Sequence, residues 1–350
     1  MSGFFSWIAG LLSQPKVAPI ATRNEPRLFN PSETDAPDPQ NPTSELVAQL
    51  EENLFSWLLD VEPKKLKTAG QNASNVLAEL EQRLAYHKLE ELPRQPATLP
   101  QLLKALSGET TERRQISKII LSDPALTDQL LQVVNSPFFR LGQHHIESVD
   151  QAIFVLGING IRSVTAAAVM RPMMAARNSR EALFTQRAWR WALTCARATE
   201  MIGKIQGEDT SAYFVLGLLP GLAYLTIRRE VWRISQTHGD DKEPDPALLR
   251  TAMTRQQWTV CQLMANAWGL PPKYHAWLLS AERPTPGQPH CALTNGLLLG
   301  SREILRHAHQ RNLPEQELYR IIDLPPEQIT NVRNALQAAL EEGRTSPAPS

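Results

Sequence analysis

The chain has 350 residues, 42% of them hydrophobic, enough for one large core or two modest ones. Lys+Arg equals Asp+Glu at 36 each, so the excess cationic charge on which general nucleic-acid binding rests is missing, and no nucleic-acid partner is expected. The apolar content excludes disorder throughout, and no run approaches the roughly 18 apolar residues of a membrane span.

Residues 1–13 form a short apolar, aromatic segment with Phe4, Phe5, Trp7, Ile8, Leu11 and Leu12. It lacks the basic start of a signal peptide, and it suits weak contact with a membrane surface, a partner or the chain's own body. Seven prolines fall between Pro15 and Pro42, among Asn, Ser, Thr and acids, so residues 14–42 read as a flexible acidic linker. A helical segment follows over 43–91, where Leu46, Leu50, Leu54, Trp57 and Leu58, then Val76, Leu77, Leu80 and Leu84, recur every three or four residues.

Asp123-Pro124 reads as an N-cap with a first-turn proline, opening a helix with Leu126, Leu130, Val133 and Val134 on one face. Asn135 and Ser136 precede Pro137, which disfavours helix at Ser136 and stops that helix. Ser148 with Gln151 fits a capping box, and Gly157 is placed to end a short helix. Gly160 and Gly203 are read as helix borders too. Further helices are predicted over about 181–203, 211–226, 246–268, 271–282, 290–310 and 325–342. Alternating apolar and polar runs bounded by turn residues are missing, so the fold class is all-α, a multi-helix bundle. Residues 344–350 read as a disordered tail.

Charge is uneven. Residues 162–204 carry Arg162, Arg171, Arg177, Arg180, Arg187, Arg190, Arg197 and Lys204 against only Glu181 and Glu200, while residues 25–62 carry nine acids against Arg27. The arginines read either as a solvated cationic face or as a surface for an anionic partner or ligand.

The segment Ile119–Ser136, with its Asp123-Pro124-Ala-Leu-Thr start and Asn135-Ser136 end, resembles the signature of the bacterial HDOD family. Ser148–Gly157 resembles the family's "S…AI..LG" helix, Ala267-Trp268-Gly-Leu-Pro271 its "WGLP" turn, and Ala97–Leu103 its lead-in. The resemblance spans 92–310 and leaves 311–343 as a helical C-terminal extension. It implies a multi-helix HD-like bundle and a non-catalytic module of signal transduction that contacts other signalling proteins; the three scattered cysteines, Cys195, Cys261 and Cys291, suit a reducing cytoplasm.

The HD phosphohydrolases, to which that family is similar, use a His, a His-Asp pair and a later Asp to hold hydroxide-generating metal ions. Carried over, the first His falls near Trp191, the pair on Pro220-Gly221, where relatives read GLLHDIG, and the last Asp loosely near Asn295. Indole, pyrrolidine and a hydrogen cannot ligate a metal, so neither metal nor cofactor is expected, and no catalytic residue is assigned. Two alternatives stay open: a divergent phosphohydrolase or phosphodiesterase with a substitute site, and a sensor that binds a signalling nucleotide without cleaving it.

Other catalytic sets are weaker. His144-His145 is the only adjacent histidine pair and lacks a third ligand, and His307 and His309 share no helix face. Cys195 and Cys261 sit in apolar helical context as core thiols, and no CxxC pair or phosphate-binding glycine loop occurs. Trp189, Trp191, Trp258, Trp268 and Trp277 are assigned to core packing.

Overall fold

A computed structural model describes residues 42–67, 70, 73–95, 113–136, 138–139, 145–239, 242–283 and 290–342. The apolar segment and linker up to residue 41, the lead-in at 97–103, His144 and the tail from 344 lie outside the described residues. Twelve α-helices and no strands occur among the described residues, as the 3.6-residue periodicity predicts.

The N-terminal helices are α1 (Pro42–Leu59), α2 (Ala73–Ala85), α3 (Arg113–Leu121), α4 (Pro124–Val134) and α5 (Val149–Met170). Asp123 caps α4 by accepting from the Leu126 amide at 3.1 Å, with Pro124 in the first turn. Asn135 closes α4 and locks it to the start of α5. Its Nδ2 donates to Leu131 O and Ile146 O, and its Oδ1 accepts from the Ile146 amide, each at 2.8 Å. Ser148 caps α5 through the Gln151 amide, while the Gln151 side chain accepts from Glu147 N rather than from the cap residue itself. Gly157 breaks the helical geometry inside α5 with φ 68°, a left-handed conformation that favours glycine, and the helix resumes beyond it.

The core is built on α6 (Ser179–Ile205) and α7 (Thr210–Thr237), followed by α8 (Pro246–Ala267), α9 (Pro272–Glu282), α10 (Ala292–His307), α11 (Glu315–Ile321) and α12 (Pro326–Glu342). α6 lies between α7 and α10, and α8, α2 and α5 cover α7. Both neighbours run antiparallel to α6. Along α7 the contacts pair Tyr213 with Gly203, Gly217 with Ala196 and Gly221 with Ala192; along α10 they pair Gly296 with Thr199 and Gly300 with Cys195.

Three expectations need correction. Gly203 lies inside α6, where a Cβ would come within 2.9 Å of the Tyr213 ring, and Gly160 lies inside α5 against Leu156. Both glycines serve packing, not helix ends. α7 runs to Thr237, eleven residues past the expected end. Its composition passes as a membrane span, as does Val149–Met174, yet 94% of the α7 window is buried within the fold, as in the core helix of a folded bundle.

Buried carboxylates tie the outer helices down. Glu230 of α7, fully buried, accepts from Arg83 Nη1 of α2 at 2.7 Å and from the amides of Glu90 and Glu91 at 3.2 and 3.1 Å. Glu303 of α10, also fully buried, accepts from Arg302, from Arg306 Nε, and from Arg333 Nε and Gln337 Nε2 of α12. The C-terminal extension therefore docks on α10 through paired buried charge.

The Trp268 turn is locked from both sides. Trp268 is 1% exposed; its Nε1 donates to Pro93 O at 3.0 Å, and its own carbonyl accepts from Gln95 Nε2. Gly269 takes φ 60° and Pro271 caps α9.

Candidate functional site

The positions aligned with the HD ligands occupy the seams between α6, α7 and α10. Trp191 is 3% exposed; its Nε1 donates to Ser301 Oγ of α10 at 2.9 Å. Its ring stacks on Tyr224 of α7, with centroids 4.9 Å apart and an 8° interplanar angle. Pro220 and Gly221 are buried inside α7, which continues through the proline. At Gly221 a Cβ would lie 2.6 Å from Ala192 Cβ and 3.3 Å from Ala188 O. Any side chain there has to push α6 and α7 apart.

Asn295 is fully buried in the first turn of α10. Its Nδ2 donates to His290 O at 3.2 Å, and its Oδ1 has no hydrogen-bond partner among the described residues. The next residue, Gly296, faces Thr199, which is eight residues and about 12 Å of helix rise from Trp191. The structure therefore brings Trp191 and Gly221 to one level of α6 and leaves Asn295 at another. One amide oxygen, an indole N–H that only donates, a proline and a glycine do not fit a divalent metal. No group of three or more His, Cys, Asp or Glu able to hold one occurs among the described residues.

The buried thiols supply no nucleophile. Burial pushes Cys195 and Cys261 far above the usual thiol range, so both stay protonated. His275 is engaged with Gln262 at 2.8 Å and His238 with Glu79 at 2.8 Å, in separate places.

The seven singled-out arginines do not share one face. Arg162 is half-buried on α5, Arg171 lies over the Trp189 ring at 5.3 Å, and Arg197 pairs with Glu200 at 2.6 Å. Arg177 and Arg180 join Arg228, Arg229 and Arg233 around a cleft of about 150 Å³. Three glutamates share that cleft: Glu91 holds Arg177 at 2.6 Å, Glu181 holds Arg229 at 2.8 Å, and Glu243 pairs with Arg228. Arg180 stacks on Trp232 at 5.5 Å. Arg187 and Arg190 line a different cleft, beside His307 and His309.

Arg228, Arg229 and Arg233 lie beyond the helix end expected near 226 and so are not among the sequence-derived candidates. The signal was present: Ile227, Val231 and Ile234 continue the helical spacing, and all three are buried.

The HDOD domain family model matches residues 92–284, more than half of the chain. That match stops before α10, whereas the resemblance read from motifs ran to 310. Among solved structures, a candidate phosphohydrolase from Shewanella amazonensis SB2B is 18% identical, covering 75% of this chain and 97% of its own, with a TM-score of 0.55. A candidate metal-dependent phosphohydrolase from the same organism is also 18% identical with a TM-score of 0.55, covering 77% and 100%. An HDOD domain protein of unknown function from Geobacter sulfurreducens is 14% identical at a TM-score of 0.48, covering 75% and 96%. At 18% identity the likeness to the two Shewanella structures is one of fold alone. A search of the curated proteins finds no match. The family match falls on the segments that carry the Asp123 cap, the Asn135 lock and the Trp268 turn: the chain belongs to the HDOD domain family.

Proposed function

We propose that this chain is a non-catalytic regulatory module of bacterial signal transduction, working in the cytoplasm through contacts with other proteins. The observation that carries this reading is the closed seam at Gly221, where a Cβ would stand 2.6 Å from Ala192. Trp191 reinforces it by filling the first ligand position with a ring already committed to Tyr224 and Ser301. What the fold retains is a set of rigid helices pinned by buried ion pairs, a scaffold suited to presenting surface.

The rival is a phosphohydrolase, the activity named for the two Shewanella structures. It needs hard ligands near α6 and α7, yet Ser211–Ile227 contains no Asp, Glu or His. The test is elemental analysis of untagged protein, with assays on cyclic dinucleotides and generic phosphodiesters in the presence of manganese. Substoichiometric metal and no turnover are expected. Turnover abolished by substituting an acid within residues 200–300 would overturn the reading. Affinity capture from the native bacterium, with and without residues 1–42, identifies the partner.

A further inference from the structure

The cleft between the end of α1, the first half of α6 and the end of α10 holds two arginines, Arg187 and Arg190, side by side. Its volume is about 300 Å³, and Trp57, Gln186, Arg187, Arg190, His307 and His309 line it; no carboxylate does so among the described residues. Several other half-buried and buried guanidiniums have acids: Arg83 has Glu230 and Glu79, Arg197 has Glu200, Arg229 has Glu181, and Arg302 and Arg333 have Glu303. Arg190, equally half-buried, pairs with no acid among the described residues. Its Nη2 meets His307 Nε2 at 3.0 Å, and burial holds its pKa below the ordinary value, the sign of a cation short of compensation.

Arg187 stands beside it in a fixed pose. Its guanidinium lies 5.6 Å over the Trp57 ring, and Nη1 makes both of its hydrogen bonds, to Asp60 at 3.0 Å and to the Trp57 carbonyl. A guanidinium has five N–H donors, so Nε and Nη2 keep theirs for another acceptor. Two forks in one concave site, with imidazoles and an amide at the rim, match a tetrahedral oxyanion whose several oxygens accept bidentate bonds.

We propose that this cleft binds a phosphate group, as inorganic phosphate or as a small phosphomonoester. The volume sits at the lower end of the range for ligand pockets, which admits a phosphate and a few further atoms. The site stands whether or not the chain acts through protein contacts, since it rests on other residues.

Isothermal titration calorimetry of the full chain at fixed ionic strength is the test, with inorganic phosphate and glycerol 2-phosphate as separate probes. Saturable binding of at least one is expected, weakened tenfold or more in Arg190→Gln and less in Arg190→Lys, which keeps the charge but loses the fork. Arg180→Gln, in the other arginine cleft, should stay within twofold of the parent. Circular dichroism checks each fold, and Arg190→Lys carries the test if Arg190→Gln fails to fold. Binding of only one probe assigns the source and upholds the site. No saturable binding of either probe, parent-like affinity in the folded Arg190 variants, or equal loss in Arg180→Gln would overturn it.

Discussion

Trp191 lies flat against Tyr224, centroids 4.9 Å apart, and so joins α6 to α7 at the level where an HD enzyme would begin its ligand set. Burial, with the nearby Glu51, Cys261 and Cys195, holds the Tyr224 phenol well above its ordinary pKa, so this face of the stack stays neutral. The single indole donor is already used on Ser301. Trp191 is thus a packing residue, and truncating it leaves a void. Trp191→Ala should lower the unfolding free energy by about 3–5 kcal/mol. Trp191→Phe should retain most of the packing and lose about 0.5–1.5 kcal/mol with the Ser301 bond. Urea melts measure both, and an Ala variant as stable as the parent would remove the packing role.

The helix opened by Asp123 gives a second, independent test. Leu130 is fully buried on α4, and Asp123 accepts one hydrogen bond from the Leu126 amide. Leu130→Ala should cost about 2–5 kcal/mol, and Asp123→Ala about 0.5–2 kcal/mol, since one removes core volume and the other a cap. A denaturant midpoint for Leu130→Ala above that of Asp123→Ala would reverse the assignment of core and surface in this helix.

How far the sequence reaches can be judged from particular elements. α4 was legible at both ends because its signals are local: a cap, a proline and an Asn-Ser stop within a few residues of each other. The end of α7 was not. Arg228-Arg229-Glu230 reads as a polar terminus, yet Glu230 is fully buried because Arg83 and the amides of Glu90 and Glu91 close over it from some 140 residues away. No periodicity reports a partner at that distance. The same limit applies to the arginines. Arg180 and Arg190 lie nearly three turns apart on α6, and what divides them comes mostly from distant chain: Glu91 after α2 and Glu243 after α7 join Glu181 in one cleft, while α1 and α10 line the other with no carboxylate among the described residues. The loss of the HD ligands could be read from residue identity; the closing of the space they would occupy could not, because it is a distance between helices.

Glu181 makes stability depend on pH. Burial alone would raise its pKa, but hydrogen bonds from Arg229 and the Arg177 amide, with the charges of Arg229 and Arg228, bring it below the ordinary value. A carboxyl whose folded pKa is depressed contributes stability above its unfolded pKa and loses it as pH falls through the folded one. Glu181→Gln should therefore be less stable than the parent at pH 7, and the gap should shrink below about pH 4, where the unfolded carboxyl is protonated. Urea midpoints between pH 7 and 3 measure it. A gap independent of pH would show that the carboxylate charge contributes nothing.

Gly221 decides whether the HD pair is merely absent or sterically excluded. An added Cβ would meet Ala192 Cβ at 2.6 Å, and Ala192 is 1% exposed on a helix held from the other side by α10, so neither partner has room to retreat. Gly221→Ala should cost about 1–3 kcal/mol by overpacking. Gly221→Asp should cost more, because it adds a carboxylate to a buried seam whose nearest atoms are Ala192 Cβ and Ala188 O. If the cause is steric, Ala192→Gly supplies the missing space, and the double variant Gly221→Ala/Ala192→Gly should recover stability relative to Gly221→Ala alone, a non-additive cycle between touching residues. The restored pair, Pro220→His with Gly221→Asp, should still fail to retain zinc or manganese after dialysis, because Trp191 continues to occupy the first ligand position. Urea melts of the cycle and elemental analysis of the restored pair give separate readouts. A Gly221→Ala variant as stable as the parent would show that the seam can open, and the steric exclusion would fall.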